Sequence, residues 1–251
     1  MSLAMDSSLD SRPPPPLASM LQGGPVALFL DFDGTLVDLA PGPDAIEPVA
    51  DLGQRLRALA ERLEGRCALI SGRAIVDIER HLGELPTAAA GSHGSDRRDA
   101  TGESLGPGPT GLPLAIESRL RKFAGQNDLE YEHKPHGGAL HYRRNPEMGE
   151  RAVVFARDLA GECGWAVQEG KCVIELVAEQ AGKGEAVLAF MNEAPFVGAR
   201  PFFLGDDLTD EAGFKMCEGL GGAGVLVGER EGTCARYRLS DVEAVHEWLG
   251  L

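Results

Sequence analysis

Short apolar runs alternate with helical periodicity in two separate parts of the chain. Residues 26–30 and 67–70 are continuous apolar runs with the length typical of buried strands. Between them, apolar residues recur at spacings of three and four from position 49 to position 63, which predicts a helix with one face on a sheet. Further runs predict strands at residues 88–90, 202–204 and 224–227. Strands separated by helices are typical of an α/β fold with a Rossmann-like parallel sheet.

A different pattern lies between these two parts. A Gly/Pro-rich stretch at residues 95–110 predicts a linker. Helical and strand-like segments then follow in the order αββαββ, at residues 112–123, 129–134, 139–143, 148–159, 165–168 and 172–177. This order predicts a small α+β cap domain inserted into the parallel-sheet domain.

The patterns together predict the boundaries of three regions. The core domain is expected at residues 23–105 and 181–251, and the cap domain at residues 106–180. A run of prolines at positions 13–16 predicts that residues 1–22 are a flexible leader in extended conformation.

Charge and cysteine content exclude several classes of protein. The chain has 24 Lys+Arg against 39 Asp+Glu, a formal charge of −15, with no basic run, so we expect no nucleic-acid or anionic-membrane binding. The five cysteines are scattered without a C-x-x-C pair, which indicates reduced thiols and no zinc site. No apolar stretch approaches the roughly 20 residues that span a bilayer. We therefore expect a cytoplasmic protein. A monomer is a separate expectation, which these features do not decide.

Two acidic residues follow the first predicted strand directly. Asp31 and Asp33 are two positions apart in an extended segment and so point to the same side of the chain. Such a pair alone is commonly a pair of turn residues. The apolar strand before it, and Gly34 and Thr35 after it, favour a site for a hard divalent cation instead.

Three further polar signals stand at the end of a predicted strand or at the start of a helix. Ser71 follows the second strand, Lys183 lies at a helix start, and an acidic group at residues 206–210 follows the strand at 202–204. Individually these could be a helix cap, a surface lysine and an acidic helix start. Open parallel sheets bind their ligands at the carboxyl ends of their strands, so we expect a common site.

These motifs resemble, in order, the four motifs of the haloacid-dehalogenase-like phosphohydrolases. The resemblance implies that Asp31 is the nucleophile, that Asp33 is the general acid and base, and that Ser71 and Lys183 bind the phosphate. It also implies Mg²⁺ as cofactor, held by Asp31, the Asp33 carbonyl and Asp206, with Asp207 and Asp210 acting around it. Nearby residues expected to bind the substrate are Thr35, Gly72, Arg73 and His93.

Segments in the predicted cap resemble those of one branch, the trehalose-6-phosphate phosphatases. They are Glu132-His133-Lys134, Leu140-His141-Tyr142-Arg143 and the segment at residues 170–176, which contains Glu175. The resemblance covers nearly all of residues 26–250. It implies Mg²⁺-dependent hydrolysis of trehalose 6-phosphate through an aspartyl-phosphate, with Glu132, Lys134, Glu175 and Arg143 binding sugar hydroxyls. A solvated charge pair remains the alternative for Glu132 and Lys134.

Three other functions use the same core motifs. Another capped sugar or polyol phosphatase, for example one acting on sucrose phosphate, would share the core and differ in the cap. A phosphomutase would form the same covalent intermediate but exclude water from it. A silent binding module would lack the nucleophile, and the presence of Asp31, Asp33 and Lys183 argues against it.

Overall fold

A computed structural model of the protein describes residues 12–39, 51–85, 87–106, 111–134, 137–170, 172–178 and 182–251. The chain divides into two compact units: the described residues of Met1–Leu105 and Gly182–Leu251 form one, and those of Gly106–Ala181 form the other. Position 49 of the predicted first helix and the cap turn at 135–136 lie outside the described residues.

The helices and strands follow one another in this order: α1 (Leu17–Gln22), β1 (Val26–Leu30), α2 (Leu52–Arg62), β2 (Cys67–Ile70), α3 (Ile75–Leu82), β3 (Ala88–Gly91), β4 (Asp96–Arg98), α4 (Leu114–Gln126), β5 (Glu130–Lys134), β6 (Gly137–His141), α5 (Gly149–Cys163), β7 (Trp165–Gly170), β8 (Val173–Ala178), α6 (Lys183–Met191), β9 (Arg200–Gly205), α7 (Glu211–Gly219), β10 (Ala223–Val227), β11 (Tyr237–Leu239) and α8 (Val242–Leu249).

The first unit is built on a seven-stranded sheet in the order β11-β10-β9-β1-β2-β3-β4. Neighbouring strands are parallel except for β3 and β4, which are antiparallel. Every residue of β1 is buried, and its side chains alternate between two apolar layers, with Leu28 and Leu30 in one and Phe29 in the other. A sheet covered on both faces explains the continuous apolar runs. The predicted α/β fold with a parallel sheet is confirmed.

Part of the predicted flexible leader is packed against the first unit. Leu17 and Met20, three residues apart on α1, are buried in its core. The indole nitrogen of Trp248 donates a hydrogen bond to the Pro15 carbonyl at 2.8 Å, and the Arg238 amide donates to the Arg12 carbonyl at 3.0 Å. The prediction of a flexible leader is therefore wrong for residues 12–22, because two apolar side chains anchor the segment. Residues 1–11 lie outside the described residues.

The predicted linker at residues 95–110 contains an edge strand. Strand β4 pairs antiparallel with β3 through Ala89 and Arg98, Ala90 and Arg97, and Gly91 and Asp96. Its three residues are polar and only half-buried, so they lack the apolar pattern from which a strand is predicted. A short, charged strand at the edge of a sheet is a common way of preventing that edge from pairing with another chain.

The second unit is a four-stranded antiparallel sheet in the order β5-β6-β8-β7, with α4 and α5 packed on one face. Its element order is the predicted αββαββ. Strand β6 begins at Gly137, two residues before the predicted start. An added Cβ at Gly137 would lie 2.0 Å from the Leu176 carbonyl oxygen, so the strands approach closely where glycine signals a turn in the sequence.

Two further predictions concern membrane-spanning helices and the state of the cysteines. In the part of the chain that the structure describes, the helices are too short or too polar to cross a bilayer. The cysteines whose side chains are described are free thiols: Cys67, Cys172, Cys217 and Cys234.

Candidate active site

A buried ion cluster lies at the carboxyl end of β1. The ammonium group of Lys183 is 2.8 Å from Asp31 Oδ1 and 2.5 Å from Asp210 Oδ1. The exposed fractions are 5% for Asp31, 4% for Lys183 and 0% for Asp210. Charged side chains are rarely buried to this extent unless they are paired with an opposite charge. Buried ionisable groups with shifted pKa values are also frequent at functional sites.

The sheet brings these side chains together from distant positions. Strands β1 and β9 are parallel neighbours, and the Asp31 amide donates to the Leu204 carbonyl at 2.9 Å. Asp31 therefore lies next to the loop that carries Asp206. Gly34 has a φ of +72°, and an added Cβ there would lie 2.2 Å from Asp206 Oδ2. Only glycine allows both the left-handed conformation and the close approach of this carboxylate.

The cluster carries excess negative charge. Burial raises the pKa of Asp31 well above its ordinary value, Lys183 opposes this shift, and Asp210 and Asp206 reinforce it. Burial, together with Asp210 and Asp207, raises the pKa of Asp206 to about 6. One carboxylate oxygen from each of Asp31, Asp206 and Asp210 lies within 4.8 Å of the others. Carboxylate oxygens are the ligands that a hard divalent cation prefers, and this group carries more negative than positive charge. The arrangement therefore fits such a cation.

The acids of the loop after β9 have different surroundings. Asp210 accepts from Lys183 through Oδ1 and from the Asp207 amide through Oδ2, at 2.9 Å for the latter. Asp207 is exposed, and its carboxylate accepts from the Leu208 amide at 2.6 Å. Both are thus used in holding the loop and Lys183. Asp206, directly beside Gly34, is the loop acid best placed to bind a cation.

Ser71 holds two loops together at the end of β2. It is buried, and its hydroxyl oxygen accepts from the Arg73 amide at 3.1 Å. Its carbonyl accepts from the His93 amide at 3.0 Å. The His93 ring lies over Gly72, where an added Cβ would be 2.7 Å from Cε1. The structure thus brings Ser71, Gly72 and His93 into contact, as expected for one site.

Arg73 binds the second acid of the first motif. Its Nε donates to Asp33 Oδ2 at 2.6 Å and its Nη2 donates to Asp33 Oδ1 at 2.9 Å. This two-point pairing is the strong geometry for a guanidinium and a carboxylate. Arg73 was predicted as a substrate ligand, and in this structure it holds Asp33. Thr35, in the same loop as Asp33, is fully buried.

Three of the four predicted sugar-binding residues, Glu132, Lys134 and Glu175, lie on the sheet face of the second unit that is opposite α4 and α5. Ala139 on the middle strand pairs with Glu132 on one side and Glu175 on the other, so the three form a row across the sheet. Lys134, two residues along β5, forms an ion pair with Glu175, because the small side chains of β6 let it reach across. Glu132 accepts from His141 at 2.8 Å, which lowers the pKa of Glu132.

Arg143 lies apart from this row. Strand β6 ends at His141, and Arg143 is exposed in the turn that follows. The sequence pattern had placed it within the strand.

Three residues around the acidic loop have contacts that the sequence motifs did not predict. Arg230 forms an ion pair with Glu211, whose other oxygen accepts from the Cys234 amide at 2.9 Å. Burial by itself would raise the pKa of Glu211, but hydrogen bonds from Cys234 and Arg230 outweigh it and lower the pKa to about 2. Glu211 directly follows the acidic group at residues 206–210, whereas Arg230 and Cys234 lie in a segment with no motif or periodicity to reveal them.

Comparison with known proteins agrees with the expected family. The trehalose-phosphatase family model matches residues 29–243. A trehalose-6-phosphate phosphatase of Escherichia coli (strain K12) is 39% identical over 228 residues, covering 89% of this chain and 85% of the relative. A probable trehalose-phosphate phosphatase of Sinorhizobium fredii (strain NBRC 101917 / NGR234) is 37% identical over 209 residues, covering 80% and 77%.

The fold has solved counterparts. The C-terminal domain of a trehalose-6-phosphate phosphatase from C. albicans matches with a TM-score of 0.74 at 22% identity, over 96% of this chain and 98% of that chain. At this level of identity the match concerns the fold. The extent and identity of the sequence matches confirm the resemblance drawn from the motifs, and the chain therefore belongs to the trehalose-phosphatase family and is a phosphatase.

Proposed function

We propose that this protein hydrolyses trehalose 6-phosphate to trehalose and inorganic phosphate, with Asp31 as nucleophile and Mg²⁺ as cofactor. The observation that supports this most strongly is the buried pair of Asp31 and Lys183 beside Asp206, in a chain of the trehalose-phosphatase family. The lysine ammonium balances part of the negative charge of the Asp31 carboxylate. The carboxylate therefore repels a phosphate dianion less and is well placed to attack its phosphorus atom.

The reaction proceeds in two displacements. In the first, an Asp31 oxygen bonds to phosphorus, the bond from phosphorus to the sugar oxygen breaks, and Asp33 gives that oxygen a proton. In the second, Asp33 takes a proton from water, the water oxygen bonds to phosphorus, and Asp31 is released as a carboxylate. Arg73 donates one hydrogen bond to each Asp33 oxygen in this structure, and each oxygen keeps a second lone pair, so Arg73 can hold Asp33 in place while Asp33 moves a proton.

Lys183 and Ser71 bind the transferring phosphoryl group in this proposal. Burial by itself would lower the pKa of Lys183, but Asp210 and Asp31 outweigh it and the pKa is raised, so the ammonium stays charged. A fixed positive charge in a site shielded from water stabilises the additional negative charge on the phosphoryl oxygens. Thr35, Gly72 and His93 are proposed to line the same phosphate site.

Asp31, Asp206 and the Asp33 carbonyl are proposed to hold Mg²⁺. The surplus of carboxylates, together with the raised pKa of Asp206, fits a cation at this position. When bound, Mg²⁺ would offset the repulsion between a carboxylate nucleophile and a phosphate dianion.

Removal of divalent cations should abolish activity. Protein stripped with a chelator is expected to release no phosphate from trehalose 6-phosphate, and added Mg²⁺ should restore release and raise the melting temperature. Ca²⁺ should raise the melting temperature but support little turnover, because its longer bonds misplace the reacting groups. Phosphate release at full rate by demetallated protein would contradict the assignment.

The sheet-face residues Glu132, Lys134 and Glu175 are proposed to bind sugar hydroxyls, with Arg143 as a further contact. Replacing any of the three by alanine should lower kcat/KM for trehalose 6-phosphate by about tenfold to a hundredfold, since each leaves a hydroxyl partner unpaired. Hydrolysis of a small aryl phosphate should be nearly unchanged.

Glu169→Ala is the matched control for these variants. Glu169 lies on β7 but on the opposite face, in the row of Ile174, and it pairs with Arg157. It should leave both activities unchanged. If the three sheet-face variants lost both activities in parallel, their role would be structural and the sugar-binding proposal would be wrong.

A panel of sugar phosphates, assayed for phosphate release with and without Mg²⁺, tests the function as a whole. Trehalose 6-phosphate should be preferred by kcat/KM over sucrose phosphate and glucose 6-phosphate. A preference for another sugar phosphate would leave the core chemistry standing and replace the substrate. We expect the active protein to be a cytoplasmic monomer.

A further inference from the structure

A second loop lies against the acidic loop of the candidate active site. The acidic loop, residues 206–210, follows β9 and leads into α7, which begins at Glu211. The second loop, residues 228–236, follows β10. Strands β9 and β10 are parallel neighbours, so both loops leave the sheet at the same edge. Two residues of the second loop make contacts with this part of the chain, Arg230 and Cys234, and neither the motifs nor the proposed mechanism uses them.

Arg230 contacts the main chain of the acidic loop. Its Nε donates to the Asp206 carbonyl at 3.4 Å, and its Nη2 donates to the Asp207 carbonyl at 3.3 Å. The guanidinium thus bridges the carbonyl groups of two consecutive residues, Asp206 and Asp207. Because it binds carbonyl oxygens, it holds the backbone without using the Asp206 carboxylate.

Arg230 is itself held in place from two directions. Its Nη2 pairs with Glu211, which also accepts from the Cys234 thiol at 2.8 Å. The Arg230 carbonyl accepts from Arg238 Nη2 at 3.1 Å. The exposed fractions of the Arg230 and Glu211 side chains are 20% and 15%, so solvent screens this pair less than it screens a surface pair.

The need for such a support follows from the charges of the acidic loop. Asp206, Asp207 and Asp210 lie within five residues of each other, and their carboxylates repel one another. A loop that presents a cation ligand has to keep its position before the cation arrives. A cationic group bound to the loop backbone opposes that repulsion and leaves the ligand atoms uncovered.

We infer that Arg230, locked by Glu211 and Cys234, is a positioning residue that fixes the Asp206 carboxylate for Mg²⁺ binding. This inference rests on the proposed function, because it assumes that Asp206 binds the cation. It assigns Arg230 an effect on metal affinity, exerted through the loop backbone, and no contact with the substrate.

Binding of Mn²⁺, followed by the electron paramagnetic resonance of the free ion, tests the inference on the full chain. Arg230→Ala should weaken Mn²⁺ binding by about tenfold to a hundredfold, the usual effect of removing a support around a metal ligand. The Mg²⁺ concentration for half-maximal phosphate release should rise by the same factor, while kcat at saturating Mg²⁺ changes much less. Arg230→Lys, which keeps the charge but not the two-point contact, should fall between the wild type and Arg230→Ala.

Two further variants keep the test decisive. Glu211→Gln, which keeps the side-chain size but loses the ion pair, should weaken Mn²⁺ binding in the same direction. Arg236→Ala is the control, because Arg236 lies in the same loop but pairs with Glu218 on α7, at 2.5 Å. It should bind Mn²⁺ as the wild type does.

Wild-type Mn²⁺ affinity in Arg230→Ala would overturn the inference, as would an equal loss in Arg236→Ala. If Arg230→Ala did not fold, wild-type affinity in Glu211→Gln would overturn it. A wild-type protein that bound no Mn²⁺ and worked without metal would contradict the Mg²⁺ assignment itself, and the inference with it. The two failures are therefore distinguishable.

Discussion

Asp31→Asn should lower phosphate release from trehalose 6-phosphate by roughly four orders of magnitude or more, because the amide cannot act as the nucleophile. The fold should survive. Burial raises the pKa of Asp31 in spite of Lys183, so the ionised carboxylate is less stable in the folded protein than in water. Removing this charge at neutral pH is therefore not expected to lower the melting temperature.

Two measurements check this expectation. Steady-state phosphate release gives the loss of activity, and thermal unfolding of the same preparation shows whether the fold is intact. Wild-type protein quenched in acid during turnover should carry phosphate bound covalently to Asp31, detectable by mass spectrometry, and the variant should not. Turnover near the wild-type rate in folded Asp31→Asn would show that another group is the nucleophile.

Lys183→Met should impair both activity and stability. The variant removes the positive charge that two buried carboxylates share, Asp31 and Asp210. Breaking a buried pair in this way costs about 3–5 kcal/mol. For a chain of this size the melting temperature should fall by roughly 6–20 °C. Activity should fall by at least about a hundredfold with both a sugar phosphate and an aryl phosphate, because the lysine acts on the phosphate itself.

The double variant Lys183→Met with Asp210→Asn separates the two effects. It removes one of the uncompensated carboxylates, so it should regain part of the lost stability and none of the activity. Lys215→Met serves as the control, since Lys215 is exposed on the neighbouring α7 and should leave both properties unchanged. A Lys183→Met variant as stable and active as the wild type would contradict the described ion cluster.

The central part of the fold could be predicted from local pattern alone. Strands β1 and β2 have continuous apolar runs because both faces of the parallel sheet are covered, and the αββαββ order is visible as a change of periodicity. Segments whose order depends on the rest of the protein were predicted wrongly or missed. The leader residues Leu17 and Met20 are ordered by the core they contact, and β4 by its pairing with β3.

The candidate site divides in a similar way. The motifs identified Asp31, Ser71, Lys183 and Asp206 because their spacing and their positions at strand ends are local features of the chain. Only the tertiary structure revealed that Arg73 holds Asp33 and that Lys183 lies between Asp31 and Asp210. These contacts join residues tens to more than a hundred positions apart.

Local pattern and motif spacing were therefore sufficient to predict the fold class and the family, and they named the candidate site residues. The three-dimensional structure was needed to show which acid pairs with which base, that Asp206 is the loop acid beside Gly34 in the loop after β1, and that Arg230 contacts the main chain of the acidic loop. The physical reason is that periodicity and motif spacing record interactions along the chain. Ion pairs and loop contacts depend on sheet order, which brings β9 beside β1 and β10 beside β9 and is not encoded in the local pattern of any one segment.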